Sequence, residues 1–97
     1  MITSKERKVL SGLGQKIDPV FQIGKNGLTE TVLKEIDNAL EARELIKLSV
    51  LKNNEISPRE LVDEIAEKLG AEAVSCVGQK IVLYRRSSRK DFKHIEF

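Results

Sequence analysis

The sequence predicts one small α/β (α+β) domain, its elements in the order αβαβαββ around a four-stranded mixed sheet. Three observations predict it. The apolar run Val20-Phe21-Gln22-Ile23 ends in Gly24-Lys25-Asn26-Gly27 and opens into a helical pattern. The alternating segment Glu44 to Leu51 is followed by a helix signed at both ends, Ser57 to Gly70. Two short apolar runs, Ala73 to Val77 and Ile81 to Tyr84, flank Gly78-Gln79-Lys80. Two strand-helix-strand units call for parallel pairs with right-handed crossovers, and the closing hairpin adds an antiparallel strand. The second and third helices then share one face of the sheet, leaving the other for the first helix or for a ligand.

Thr3 or Ser4 caps a first helix whose apolar positions are Val9, Leu10, Leu13 and Ile17, with Lys5, Arg7 and Lys8 on the exposed arc. Gly12 and Gly14 weaken its end, and Asp18-Pro19 stops it. Val20 to Ile23 is too short for a helix and reads as a buried strand. Leu28, Val32, Leu33, Ile36, Ala39 and Leu40 keep a 3.6-residue period, with Thr29 as N-cap and Glu30 in the first turn. From Glu44 onward the chain alternates, Ile46, Leu48 and Val50 on one side and Lys47 and Ser49 on the other. Ser57, Pro58 and Glu60 form a capping-box pattern, Leu61, Val62, Ile65, Ala66 and Leu69 the apolar stripe, and Gly70 the stop. The last two runs form a hairpin with a glycine-containing turn. Residues 1–86 are expected to form the domain and residues 87–97 a basic, mobile tail.

At 97 residues, 40% hydrophobic and 33% charged, the chain has the composition of a water-soluble globular domain and no apolar run long enough to cross a bilayer. The start of the chain lacks the apolar stretch of a secretory signal, so a cytoplasmic protein is expected. One cysteine and one histidine supply neither a disulfide nor a zinc cluster, and no cofactor is expected. The small net charge of +2 conceals a polarity. Residues 1–27 carry five basic and two acidic side chains, residues 28–84 seven and eleven, and residues 85–97 five and two. Should both ends and the glycine turn reach one side, they would form a positive patch facing a polyanion, with an acidic opposite side.

The turn entering the second helix is the strongest candidate site. A helix N-terminus presents backbone N–H groups and the positive end of its dipole to an anion such as phosphate. The expectation is that Gly24 and Gly27 let a nucleotide backbone approach free amides, with Lys25, Asn26 and Thr29 adding charge and donors. Gly-x-x-Gly alone is a weak motif, equally suited to a tight turn. It lacks the spacing of a Walker loop. Nor is there a catalytic constellation: Asp63, Glu64 and Glu67 lie on a helix surface and Cys76 in mid-strand. Phe21 and Tyr84 are expected in the core.

Asp18 to Thr29, Glu44-Leu45-Ile46-Lys47 and Val77 to Arg85 together resemble the CRM domain (chloroplast RNA splicing and ribosome maturation) in its stand-alone bacterial, YhbY-type form. The likeness covers nearly the whole chain, with the motifs in order. It implies an open-faced two-layer sandwich similar to the C-terminal domain of translation initiation factor three. It also implies RNA binding through the glycine loop and association with precursors of the large ribosomal subunit. Its Gly-x-x-Gly loop falls on Gly24, Lys25, Asn26 and Gly27, and its basic first-helix surface on Lys5, Arg7, Lys8 and Lys16. The chain departs from the family in reading Leu10-Ser11-Gly12-Leu13 where a first-helix histidine often stands.

Arg85 and Arg86, with Arg89 and Lys90 beyond them, are expected to form an electrostatic arm on RNA. The expected protein is therefore a monomeric, non-catalytic RNA binder with neither membrane nor small-molecule partners. The competing class is a protein-interaction module using the acidic face of the second and third helices.

Overall fold

A computed structural model of the protein describes residues 2–24, 27–52, 56–89 and 94–95. The elements are α1 (Ser4–Gly14), β1 (Phe21–Ile23), α2 (Glu30–Arg43), β2 (Leu45–Val50), α3 (Pro58–Leu69), β3 (Glu72–Val77) and β4 (Lys80–Tyr84). Each helix begins where a side chain satisfies an amide that the helix leaves without an internal partner. Thr3 Oγ1 accepts from the Glu6 amide while Glu6 Oε1 accepts from the Thr3 amide, a reciprocal capping box. At α2 the Thr29 hydroxyl accepts from the Val32 amide, and at α3 the Ser57 hydroxyl accepts from the Glu60 amide. Gly70 ends α3 in the left-handed conformation, φ +62°.

The sheet order is β1-β2-β4-β3. β1 and β2 are parallel, while β4 runs antiparallel to both β2 and β3. The hairpin thus folds its second strand into the centre, where Ile81, Val82, Leu83 and Tyr84 are all buried, and leaves β3 as an edge. A continuous apolar run suits a strand covered on both faces, and an edge strand takes a mixed one. A bulge between Ala73 and Ser75 admits Val74 as an extra residue.

One face of the sheet carries the main core. Ile23, Ile46, Leu48, Val50, Ile81 and Leu83 meet Ile36 and Leu40 of α2 and Leu61 and Ile65 of α3. Each such side chain stabilises the fold by about 1.5–3 kcal/mol through area removed from water. On the second face α1 seals a smaller cluster, Leu10 over Leu45, Val74, Val82 and Tyr84. A Cβ on Gly14 would lie 2.8 Å from Val82 Cγ1, so the end of α1 approaches the sheet as closely as only glycine permits.

Three expectations are corrected. Glu44 is not the first residue of a strand: it caps α2 with φ +64°, fully buried. The tail is not loose where it is described. Glu44 accepts from the amides of Ser87 (2.7 Å) and Ile95 (2.8 Å) and pairs with His94 Nδ1, and Ile95 joins the smaller core. Lys90 and its basic neighbour Lys93 lie outside the described residues. The ends and the glycine turn do not gather on one side. β1 and β2 finish at the turn before α2, whereas the Ile2 amide donates to Glu72 and Arg85 follows β4 at the opposite end of the sheet.

Candidate nucleic-acid interface

The turn entering α2 is built by β1 and by the cap of the helix. Ile23 closes the strand, its carbonyl accepting from Leu51 at 3.1 Å. Gly27 takes φ +68°, and its amide donates to the Gly24 carbonyl at 3.0 Å. The glycine is buried, and Leu28 packs on the main core behind it. The turn is therefore closed partly upon itself, and the expectation that its amides stand free fails at Gly27. Lys25 and Asn26 lie outside the described residues. Thr29 is exposed, with its hydroxyl accepting from Val32 at 3.1 Å and its carbonyl from Leu33 at 2.9 Å. What this turn offers a ligand is the positive end of a 14-residue helix, with Glu30 and Thr31 in its first turn.

Lys5, Arg7, Lys8 and Lys16 are all exposed. Arg7 stands above the β3 edge in a depression shared with Arg59 and Asp63 of α3, while Lys16 follows the far end of α1 beside Pro19 and Val20. Among the described residues no carboxylate lies within ion-pair distance of any of the four.

Arg85 and Arg86, neighbours in sequence, part company. Arg85 is largely buried: Nη1 donates to Asp37 Oδ1 at 2.7 Å and to the Leu69 carbonyl at 2.9 Å, and Nη2 lies 3.6 Å from Glu41. It ties β4 to α2 and α3, so its expected place on an RNA-binding arm is corrected to a structural one. The same contact neutralises part of the acidic face of α2. Arg86 is exposed near Glu6 and Ile2. Glu41 is held below the usual carboxylate range by the hydroxyl and amide of Ser88.

Two basic residues escaped the site reading. Lys47 and Lys80 stand on the second face of the sheet, beside Gln15, Ser75 and Val82. The alternation of β2 had already put Lys47 opposite the apolar side. Only the β2-β4 register, Lys47 against Val82 and Ser49 against Lys80, brings the two lysines together. Glu44 was also missed, since its partners lie 43 to 51 residues away in sequence. Burial raises its carboxyl, but His94 and the Ile95 and Ser87 amides lower it further, leaving it below the usual range.

Among the described residues no helix is long and apolar enough to cross a membrane. The chain is 38% identical over 96 residues to the Bacillus subtilis protein named "Probable RNA-binding protein YqeI", covering 99% of this chain and 98% of that protein. It is 38% identical over 86 residues to a Haemophilus influenzae protein named "RNA-binding protein", covering 89% and 87%. The fold matches the solution structure of the hypothetical protein SAV1595 from Staphylococcus aureus, described as an RNA-binding candidate, with TM-score 0.71, 43% identity and 94% and 95% of the two chains covered. The model of the CRS1 / YhbY (CRM) domain matches residues 2–85, and the chain belongs to that family.

Proposed function

We propose that this protein binds structured ribosomal RNA, chiefly through the sugar-phosphate backbone, and acts in the cytoplasm during assembly of the large ribosomal subunit without catalysing a reaction. The observation that carries this reading is the exposed cationic arc of α1: Lys5, Arg7 and Lys8, with Lys16 just beyond its end, have no carboxylate partner among the described residues. A cationic surface without internal partners is what a polyanion needs, because each phosphate neutralised releases counterions. The turn before α2 adds a helix N-terminus, a recurrent phosphate site. The names of the relatives support RNA as the polyanion, and the family resemblance supports ribosomal RNA.

The test is co-sedimentation with ribosomal particles, alongside RNA affinity across salt, for the wild type and for Gly27→Asp combined with Lys25→Ala. Comigration with large-subunit precursors, lost in the double variant, is expected. A folded double variant with unchanged affinity and sedimentation would overturn the role of the turn. A wild type that binds no RNA would overturn the reading itself.

A further inference from the structure

We infer that the half of the second sheet face nearest the turn before α2, around Lys47 and Lys80, is a phosphate-binding platform carrying an RNA backbone from that turn across β2 and β4 towards α1. The inference rests on the RNA reading above and assigns it a surface outside both the glycine turn and the first helix.

Register assembles the platform. Gln22 pairs with Ser49 and Ser49 with Lys80, so three adjacent strands carry a polar row one residue before the turn begins. Lys47 stands on the same face one pleat away, diagonal to Lys80, a separation of about 7–8 Å between backbones. Val77 completes the row at the β3 edge and is 65% exposed. The face is open here because α1 ends at Gly14, pressed against Val82, and its smaller core lies towards the other end of the sheet.

Lys80 is oriented rather than free to sweep. Its Nζ donates to Ser49 Oγ, and Gln79 fastens the hairpin turn to β2 by accepting from the Val50 amide at 2.7 Å and donating to the Val50 carbonyl at 2.8 Å. Among the described residues neither lysine has a carboxylate within ion-pair distance. The residues Gln15, Gln22, Lys47, Ser75, Val77 and Lys80 include no acid.

The chemistry of the face also selects the part of RNA it takes. A sheet that reads splayed bases stacks them on exposed aromatic rings. Here Phe21 packs on the main core, and Tyr84 is buried in the smaller one with Leu10. Among the described residues the face offers lysines and amides and no ring, which suits phosphates and ribose hydroxyls, and so the backbone of a folded RNA.

The test measures binding by fluorescence anisotropy to a hairpin RNA of about 20 base pairs and to oligouridine of about 20 nucleotides, between about 50 and 300 mM salt. The proteins are the wild type, the Lys47→Gln/Lys80→Gln variant and Gly27→Asp. The lysine variant is expected to bind the hairpin about tenfold or more weakly near 0.1 M salt, with a slope of log K against log salt shallower by about 1.4–1.8. Should it not fold, Gln22→Glu/Ser75→Glu places negative charge on the same face with both lysines intact, and a comparable loss is expected. Hairpin affinity and slope equal to wild type, with Gly27→Asp weakened, would overturn the platform while leaving the RNA reading standing. Tighter binding of oligouridine than of the hairpin would overturn the backbone assignment. A wild type that binds neither RNA would overturn the RNA reading, and the platform with it.

Discussion

The amide of Gly27 donates to the carbonyl of Gly24 at 3.0 Å, so the two glycines of the turn before α2 are joined to each other. Their requirements differ. Gly27 sits at φ +68°, with open space where a Cβ would go, while a Cβ on Gly24 would make an ordinary contact with Leu51 at 3.9 Å. Gly27→Ala should therefore cost about 1–2 kcal/mol through backbone strain alone, Gly27→Asn less, and Gly24→Ala within about 0.5 kcal/mol. Thermal unfolding of the three variants checks the order.

Arg85 and Arg86 should separate stability from binding. Arg85→Ala removes donors to Asp37 and to the Leu69 carbonyl and should destabilise by about 1–3 kcal/mol, with little change in the salt slope of RNA binding. Arg86→Ala should leave unfolding within about 0.5 kcal/mol of wild type and flatten the slope by about 0.7–0.9. Denaturant unfolding and salt titration on the same samples decide it.

The two glycines of α1 make opposite predictions. At Gly12 nothing lies within 4 Å of where a methyl group would sit, so Gly12→Ala should stabilise by about 0.5–1 kcal/mol through helix propensity. Gly14→Ala gains the same propensity but drives its methyl into the stiff, branched Val82, and should destabilise by about 1–3 kcal/mol. Adding Val82→Ala should recover part of that loss, a coupling that a double-mutant cycle measures.

Glu44 should make stability depend on acid. Its carboxyl is held below its ordinary value in the folded chain, so the unfolded chain takes up a proton first as pH falls. The stabilisation is present above that value and disappears as pH drops through the lower, folded one. Glu41 shifts in the same direction. Glu44→Gln should cost about 2–3 kcal/mol at neutral pH, because an amide meets the Ser87 and Ile95 N–H groups less well than a carboxylate. It should also flatten the acid limb of a stability-against-pH curve.

Local chemistry explains which parts were legible in the sequence. The caps Thr3, Thr29 and Ser57, the Gly70 stop and the alternation of β2 are signals carried within a few residues, and they place the three helices and β2. The position of β4 between β2 and β3 was only faintly legible, since a hairpin can present either strand to the sheet. The continuous apolar run Ile81 to Tyr84, against the mixed run of β3, is its one signal, and burial on both faces bears that signal out. The fate of Arg85 turns on Asp37 and Leu69, 48 and 16 residues away, and that of the tail on Glu44, so both stayed hidden until the chain was folded. The glycine turn was legible as a motif. Its inward Gly27 amide, and the Lys47 and Lys80 pair beside it, were not, because both depend on how β1, β2 and β4 lie together.

The most direct measurement is an NMR titration of the isotopically labelled protein with a hairpin RNA, following each backbone amide. Perturbations should concentrate at Gly24, Gly27 and Thr29, along the exposed arc of α1 and at Lys47 and Lys80, while Glu64 and Glu67 on α3 stay unchanged. Shifts confined to the outer surfaces of α2 and α3, with the glycine turn and the lysine face silent, would contradict the account.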